Sequence, residues 1–273
     1  MQSVVAQPQA AAPYLAVLSS RFRMLLQYRA VALAGIATQV IWGIIRAQIF
    51  AAFYASSTAP QPMTADQTIT YLWLGQAFLL IVMFSPDAEI ASMINSGHVA
   101  YEMTRPLDLY WLWFFRCLAG RAAPLLLRFL PIMLIAWIFF SMSAPASLTA
   151  AILFLVSITL GLILAAALVT LVTLSMLWTI SGQGIAAMAP AFVFIASGIV
   201  VPLPLLPMAA RRFLDLLPFR GLIDTPLRIY VGEMSASHAA GGILSQLLWI
   251  IVVIVVGKLA LRRGLSRLVV QGG

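Results

Sequence analysis

The residues that could carry chemistry in this chain are few and widely separated. There are eight acidic residues, two histidines and one cysteine among 273 residues. An enzyme needs paired carboxylates, a metal-binding set or an activated nucleophile. All the acids lie between the long apolar segments, and His98 and His238 are predicted to lie at opposite ends of the fold. The sequence therefore predicts no catalytic residue, no metal site and no cofactor bound by this chain.

Three further chemistries are excluded by residue spacing. Gly257-Lys258 is not a phosphate-binding loop, because the upstream glycine and the following Ser or Thr are missing. This chain is therefore predicted not to hydrolyse ATP by that motif. Cys117 stands alone, which rules out an internal disulfide and a cysteine-based metal cluster. An ion-coupled carrier typically places acids near the bilayer midplane, and no acid is predicted there.

Long apolar segments make up most of the chain. The composition is 63% hydrophobic and 9% charged, against roughly 25% charged residues in a soluble domain. Such a chain cannot hide its apolar surface from water, so lipid must be its solvent. The net charge of +8 is carried beside apolar segments and not along a solvated stripe, which argues against nucleic-acid binding. We expect one membrane domain over residues 1–273.

The lengths of the apolar segments predict six membrane spans. These spans are expected at about 30–54, 68–84, 122–142, 148–173, 185–201 and 242–261. The segment 202–240 is too apolar for a free loop and too charged to span, so we expect it to re-enter the bilayer against protein. The predicted fold class is an all-α, polytopic membrane protein.

The segment 14–29 has the pattern of an amphipathic helix. Leu15 and Phe22 fall near one face, while Arg21 and Arg23 fall on the other. This pattern suits a helix that lies in the plane of the membrane interface. A plain cytosolic extension of the first span is the alternative.

The positions of the basic residues predict the orientation of the chain. Six spans put both termini on one side, and the first two loops on the other side contain no Lys or Arg. Basic residues collect on the side of the termini: Arg21, Arg23, Arg29, Arg105, Arg116, Arg121, Lys258, Arg262, Arg263 and Arg267. Because basic loops stay in the cytoplasm, both termini are predicted to be cytoplasmic.

Two arginines, Arg46 and Arg128, lie inside predicted spans. Both are poor proton relays, because arginine does not deprotonate in proteins. Each side chain either extends to the membrane interface or faces a substrate, and the sequence leaves both possibilities open. Energy for any transport must then arrive through contact with another subunit.

The polar segment 85–121 is the predicted contact for such a subunit. Asp87 to Asn95 has helical character, with Ser85 or Asp87 as its N-cap. Ser96-Gly97 and Arg105-Pro106 are predicted to break the helical structure. An ordinary solvated loop is the alternative.

Three stretches of the chain resemble a known family. The stretch 94–108 resembles the G-x-x-x-Y-x-x-x-R-P region of permeases from ATP-binding-cassette (ABC) type-2 exporters. The matching positions are Gly97, Tyr101, Arg105 and Pro106. The stretches 197–207 and 217–232 also resemble that family. The similarity is closest to a bacterial branch whose permeases are often encoded as two related subunits beside one ATPase.

The resemblance implies roles for particular segments. The segment 14–29 would be an N-terminal elbow helix, followed by six spans, a cytosolic coupling helix and re-entrant helices before the last span. The coupling helix would bind an ATPase through Asp87, Glu89, Ile90, Met93, Ile94 and Gly97. The outer gate would contain Pro202, Pro204 and Pro207. The substrate path would be lined by Trp73, Phe78, Phe192 and Phe194, which could instead face lipid or a partner helix.

The resemblance also implies partners and a location. The partners would be ABC ATPase subunits carrying ATP and Mg²⁺, a second permease that is identical or related, and the lipid bilayer. The location would be the plasma (inner) membrane of a bacterium. The function would be half of the translocation path of an ATP-driven exporter, for an amphiphilic or hydrophobic cargo. The alternatives are a secondary transporter or channel, and a membrane scaffold that transports nothing.

Overall fold

The computed structural model describes residues 11–178 and 183–265, and helices are the regular structure in these ranges. The helices are α1 (Ala12–Leu25), α2 (Arg29–Ser56), α3 (Ala65–Ala77), α4 (Ala88–Asn95), α5 (Val99–Met103), α6 (Leu109–Phe139), α7 (Leu148–Ser175), α8 (Gln183–Ala196), α9 (Met208–Asp215), α10 (Asp224–Tyr230) and α11 (Ala236–Leu265). Short 3₁₀ turns follow α3 and flank α9. The all-α class is confirmed, and Arg267 lies outside the described residues.

Four helices are long and apolar enough to cross a membrane. They are α2, α6, α7 and α11, which have 28, 31, 28 and 30 residues. At 1.5 Å per residue even the shortest is about 42 Å long, against about 30 Å for the hydrocarbon layer. The chain is therefore a multi-pass membrane protein. The third of these helices along the chain, α7, is the most enclosed, with 56% of its most apolar window buried.

The helix α6 begins well before the span expected at 122–142. It starts at Leu109 because Asp108 caps it, accepting a hydrogen bond from the Trp111 amide at 3.1 Å. No proline follows until Pro124, so the aromatic segment continues directly into the apolar one. Pro124 and Pro131 both lie inside this helix.

The helices α3 and α8 are shorter than the spans expected at 68–84 and 185–201. They have 13 and 14 residues, or about 20 Å each. α3 starts at a capping box between Thr64 and Gln67 and is buried along nearly its whole length. A short helix is tolerated there because protein, and not lipid, surrounds it. Length and apolar composition thus identify four crossing helices in the described ranges, two fewer than expected.

The break after α3 is stabilised by an arginine from another helix. Arg121 of α6 donates hydrogen bonds to the carbonyls of Leu80 and Met83, at 3.1 and 2.7 Å. Its guanidinium also lies over the Phe84 ring, 5.5 Å from the centroid. These carbonyls have no helical partner, so the arginine satisfies groups that lipid cannot hydrate.

The helices α7 and α11 run side by side in the same direction. Ser157 near the start of α7 bonds to Gln246 near the start of α11 at 2.9 Å. At the other end, Leu177 just after α7 packs against Gly264 of α11. Parallel neighbours require the chain to return between them, which it does through α8 and the segment that follows it.

The segment between α8 and α11 is embedded in the helix bundle. All seven residues of α10 are buried, and α10 packs against α3, α7 and α11. The Gln246 amide donates to the Gly221 carbonyl at 2.7 Å, which fixes this segment to α11. The segment ends earlier than the expected position 240, because α11 already begins at Ala236.

Close approach of this segment to α7 depends on Gly161. A Cβ atom at this position would lie 2.8 Å from the Leu222 carbonyl oxygen, which belongs to the backbone and cannot rotate away. We expect Gly161→Ala to lower the free energy of unfolding by about 1–3 kcal/mol through overpacking. Thermal unfolding of the purified protein in detergent measures this effect.

The matched control is Gly241→Ala. Gly241 also lies in a long helix, but a Cβ there would meet nothing within 4 Å. Alanine favours helix over glycine by up to about 1 kcal/mol, so this variant should be as stable as the parent or slightly more so. Equal unfolding midpoints for the two variants would contradict the packing described here.

Candidate functional site

The helix α4 is fixed at its start by Asp87. The Asp87 carboxylate accepts hydrogen bonds from the Glu89 and Ile90 amides, both at 3.2 Å, so Asp87 is the N-cap, and not Ser85, the other candidate. The Asp87 amide donates to the Thr173 hydroxyl of α7 at 3.1 Å. Gly97, with φ +73°, follows the helix in the left-handed region, where a side chain is unfavourable.

Arg21 joins α1 to the start of α4. Its guanidinium donates to the Asp87 carboxylate at 2.6 Å and to the Glu89 carboxylate at 2.8 Å. The Asp87 side chain is 8% exposed and that of Glu89 is 56% exposed, so one ion pair is largely shielded from water. Both acids also lie at the start of α4, where negatively charged side chains stabilise a helix.

The helix α1 is itself held against α6. The Tyr14 ring stacks on the Phe115 ring with centroids 5.9 Å apart. The Tyr14 hydroxyl accepts a hydrogen bond from the Asp108 amide at 2.9 Å. The helices α1 and α4 and the start of α6 therefore form one connected unit, which we name the tip unit together with α5.

A buried carboxylate connects α5 to α6 within the tip unit. Glu102, only 5% exposed, accepts from both terminal nitrogens of Arg116 at 3.0 and 2.7 Å. It also accepts from the Trp113 indole at 2.8 Å. Sequence reasoning missed this cluster. The opposite charges of Glu102 and Arg116 on either side of the Arg105-Pro106 break were the available signal.

The residues expected to contact an ATPase divide into two groups. Ile90 is fully buried and Ile94 is 8% exposed, so both anchor α4 to the protein beneath it. A partner could not reach them in this arrangement. Met93 is half-buried, whereas Glu89 and Gly97 are exposed.

An exposed surface lies at the end of the tip unit. Tyr101 is 73% exposed, and its ring lies 5.8 Å from the ring of His98. Arg105, whose side chain is 56% exposed, and Pro106 are also exposed. We name the exposed residues Asn95, Ser96, Gly97, His98, Tyr101, Arg105 and Pro106 the tip surface.

A second polar cluster lies at the opposite end of the bundle, around Asp224. Asp224 is fully buried and accepts hydrogen bonds from the Leu203 amide at 3.1 Å and from Arg228 at 3.2 Å. The Tyr71 hydroxyl of α3 lies 3.0 Å from Asp224 and 3.0 Å from the Gly198 carbonyl, and it can donate to either. We name this set, with Glu233, the outer network.

The charges of the outer network are paired. Arg228 donates to both oxygens of Glu233, at 2.6 and 3.1 Å. Burial raises the pKa of Asp224, while Arg228 and the neighbouring donors limit that rise. Burial alone would lower the pKa of Arg228, but the Asp224 and Glu233 carboxylates raise it above its usual value. Arg228 therefore stays charged and ties α10 to Glu233, in the turn that precedes α11.

Arg46 connects the outer network to α2. Its guanidinium donates to the carbonyls of Ile199 and Val200, just after the end of α8. These carbonyls lie in the turn beyond α8, outside any helix, so the arginine supplies donors that lipid cannot. The guanidinium is thus bound by the protein's own backbone and does not point into an open path in this structure.

Comparison with protein families decides the identity. A family model described as ABC-2 family transporter protein matches residues 64–272, which is most of the chain. The chain belongs to the ABC-2 transporter family. It is therefore a membrane permease subunit of an ABC transporter and not the ATPase, and membership implies an ABC ATPase as partner. No curated protein matches it.

The residues expected to line a path in this permease also divide. Trp73 is fully buried against Phe140, with ring centroids 4.4 Å apart. Phe78 is 6% exposed and packs between Phe129 and another ring of the core. Neither side chain lines an open path here, because both fill the core of a single subunit. On α8, by contrast, the expected path residues are exposed: Phe192 (48%) and Phe194 (37%).

The prolines expected at an outer gate bend the chain after α8. Pro202 and Pro204 are buried, whereas Pro207 is exposed and immediately precedes α9. The sharp return begins at Gly198, whose φ of +80° suits glycine. A Cβ there would lie 2.8 Å from the Tyr71 hydroxyl, so the close approach also requires glycine.

The Arg21 contacts make a testable prediction. Arg21→Ala removes a guanidinium from two carboxylates, and we expect a loss of about 1–3 kcal/mol in unfolding free energy. Arg23→Ala is the matched control, because Arg23 is exposed on the same helix; its effect should be within about 0.5 kcal/mol. Thermal unfolding in detergent measures both effects. An equal effect of the two substitutions would show that the Arg21 contacts between α1 and α4 do not stabilise the protein.

The outer network makes a second prediction, based on two buried tyrosines. Tyr71→Phe removes a donor from Asp224 and Gly198, which should cost about 1–3 kcal/mol. Tyr110→Phe is the control, because the buried Tyr110 hydroxyl has no hydrogen-bond partner; its loss should be neutral or stabilising. Unfolding midpoints that fall equally in both variants would show that the hydroxyl of Tyr71 is not what matters.

Proposed function

We propose that this permease forms half of the translocation path of an ATP-driven exporter and is operated from the cytosol through its tip surface. One observation carries the proposal: the tip unit is tightly bound to the membrane helices on one side and exposes Tyr101, His98 and Arg105 on the other. Family membership supplies the ATPase partner. An exposed aromatic and an arginine are residue types enriched at protein interfaces.

Six crossings are supported by the contacts of α3 and α8, although both helices are short. The Tyr54 hydroxyl near the end of α2 bonds to Thr68 at 2.8 Å, and the Arg21 pair places Asp87 beside α1. The segment 68–87 thus runs back along α2 from one end to the other. Likewise, α8 leads from Leu177, beside the end of α11, to Gly198 in the outer network.

The orientation follows from this path. With six crossings, the tip unit and the end of α11 share one side, which also carries most of the basic residues. The tip surface is then cytosolic, where an ATPase is available. The outer network lies on the far side, where the chain re-enters the membrane before α11.

The tip unit gives the proposed coupling a mechanical basis. Nucleotide-driven movement of an ATPase bound to the tip surface would displace α4. This helix is tied to α1 through Arg21 and to α7 through the Thr173 contact, and α1 in turn packs on α6. The helices would therefore move together and not one at a time. The permease contributes two arrangements, and the ATPase selects between them.

A second permease completes the proposed path. The described part of α8 contacts mainly α7 and the turn after α9, and it exposes Phe192 and Phe194. We place α8 beside the path between the two permeases, where its apolar side chains suit an amphiphilic or hydrophobic cargo. An ion-coupled mechanism is disfavoured, because none of the acids lies within α2, α6, α7 or α11.

The tip surface is tested by Tyr101→Ala. Truncating an exposed aromatic anchor should weaken ATPase binding at least about tenfold and reduce cargo-stimulated ATP turnover, with the unfolding midpoint unchanged. The measurement is titration of the ATPase onto reconstituted permease, followed by turnover. Phe213→Ala is the matched control, since Phe213 is 59% exposed at the opposite end of the bundle.

Three results would contradict this proposal. Full ATPase affinity and turnover in Tyr101→Ala would show that the tip surface is not the contact. Solute accumulation by the permease alone, driven by an ion gradient without nucleotide, would assign it to secondary transport. A permease that binds the ATPase but moves nothing in any assay would instead be a scaffold.

A further inference from the structure

Arg128 lies in a groove between α2 and α6, close to the corner where α1 meets α2. Its guanidinium rests directly on the backbone of Gly35, since a Cβ there would lie 2.3 Å from the Arg128 Cζ atom. Gly35 is six residues from Arg29, or about 9 Å along the helix axis. The charge therefore lies within the membrane layer but near one of its surfaces.

Among the described residues, no acidic side chain pairs with Arg128. All eight acidic side chains belong to the described ranges. Its Nε atom is buried without a hydrogen-bond partner. Arg46 and Arg121 differ, because each donates to backbone carbonyls. A cation among lipid chains is costly unless it is paired, so a partner from outside the chain is expected.

The groove beside Arg128 has room for such a partner. It is a cavity of about 230 Å³ whose other walls come from Leu25, Tyr28, Val31, Ala32, Pro124 and Leu127. Its surroundings are apolar and exposed, with Val31 at 60%, Leu126 at 47% and Leu130 at 63%. The groove therefore opens sideways towards lipid chains and not into bulk water.

We propose that this groove binds an anionic phospholipid of the cytosolic leaflet, with the lipid phosphate on the Arg128 guanidinium. A planar guanidinium can hold a phosphate through two parallel hydrogen bonds. The apolar walls suit the adjoining acyl chain, and Tyr28 at the corner has the amphipathic character of an interface residue. The proposal uses the orientation given above but does not depend on ATPase coupling.

The test compares lipid affinity in the full-length permease and its variants. Binding of phosphatidylglycerol and of phosphatidylcholine is measured in detergent by native mass spectrometry, with lipid-dependent thermal stabilisation as a second readout. The parent protein should bind phosphatidylglycerol about tenfold more tightly than phosphatidylcholine, and Arg128→Gln should abolish that preference. Arg212→Gln, at an exposed arginine of α9, removes one positive charge elsewhere and should retain the preference for phosphatidylglycerol.

A second variant keeps the charge but moves it. In Gly35→Ala the new methyl group occupies the place of the guanidinium, so the preference for phosphatidylglycerol should fall although net charge is unchanged. Since the displaced group is the end of a flexible side chain, the protein should still fold. Inorganic phosphate is a further probe, and it should not compete with the lipid at millimolar concentration.

Three outcomes would overturn the proposal. Equal affinity of the parent for the two lipids would show that the groove does not select an anion. Full competition by inorganic phosphate would make it a site for a soluble anion. Retained lipid preference in Arg128→Gln, together with lost cargo transport, would assign the arginine to cargo. Every variant should bind the ATPase as tightly as the parent protein does. A failure of the lipid proposal can therefore be distinguished from a failure of the proposal for the tip surface.

Discussion

In a body surrounded by lipid, every polar group away from water needs a partner within the protein or from a bound molecule. Long helices meet this requirement by themselves, but a broken helix leaves carbonyls without partners. Arg121 donates to the carbonyls of Leu80 and Met83 where α3 gives way, and Arg46 does the same after α8. These two arginines make short, interrupted helices possible here. Their positive charges serve the architecture, and neither needs a substrate to explain it.

The two polar regions of the permease share one helix. At one end of α7, Thr173 accepts a hydrogen bond from the start of α4. Nearer the other end, Gly161 lets the re-entrant segment approach, and Ser157 bonds to Gln246 of the last helix. Because α7 is also the most enclosed of the long helices, it cannot shift without repacking its neighbours. It is thus an element that both the tip unit and the outer network can bias, as coupling between distant sites requires.

Local patterns predict part of this structure and miss the rest for physical reasons. Apolar length predicts the four long helices, and an acid before a helical pattern predicts the Asp87 cap. The length of an apolar segment does not show whether lipid or protein surrounds it, so it overestimates the lengths of α3 and α8. Periodicity shows that Ile90 and Ile94 share a face but not that the same chain covers it, and Trp73 is likewise a core residue. The partners of Arg46 lie more than 150 residues away, beyond the reach of any local pattern.

The Tyr71 hydroxyl has a single proton and two oxygen neighbours at the same distance, one on Gly198 and one on Asp224. A rotation of the O–H bond, with no heavy atom displaced, decides which neighbour receives it. The turn after α8 and the start of α10 thus compete for the same hydrogen, and each gains it only at the expense of the other. If one of these elements withdraws, the other gains the bond outright. Separating them is therefore cheaper than counting two hydrogen bonds would suggest.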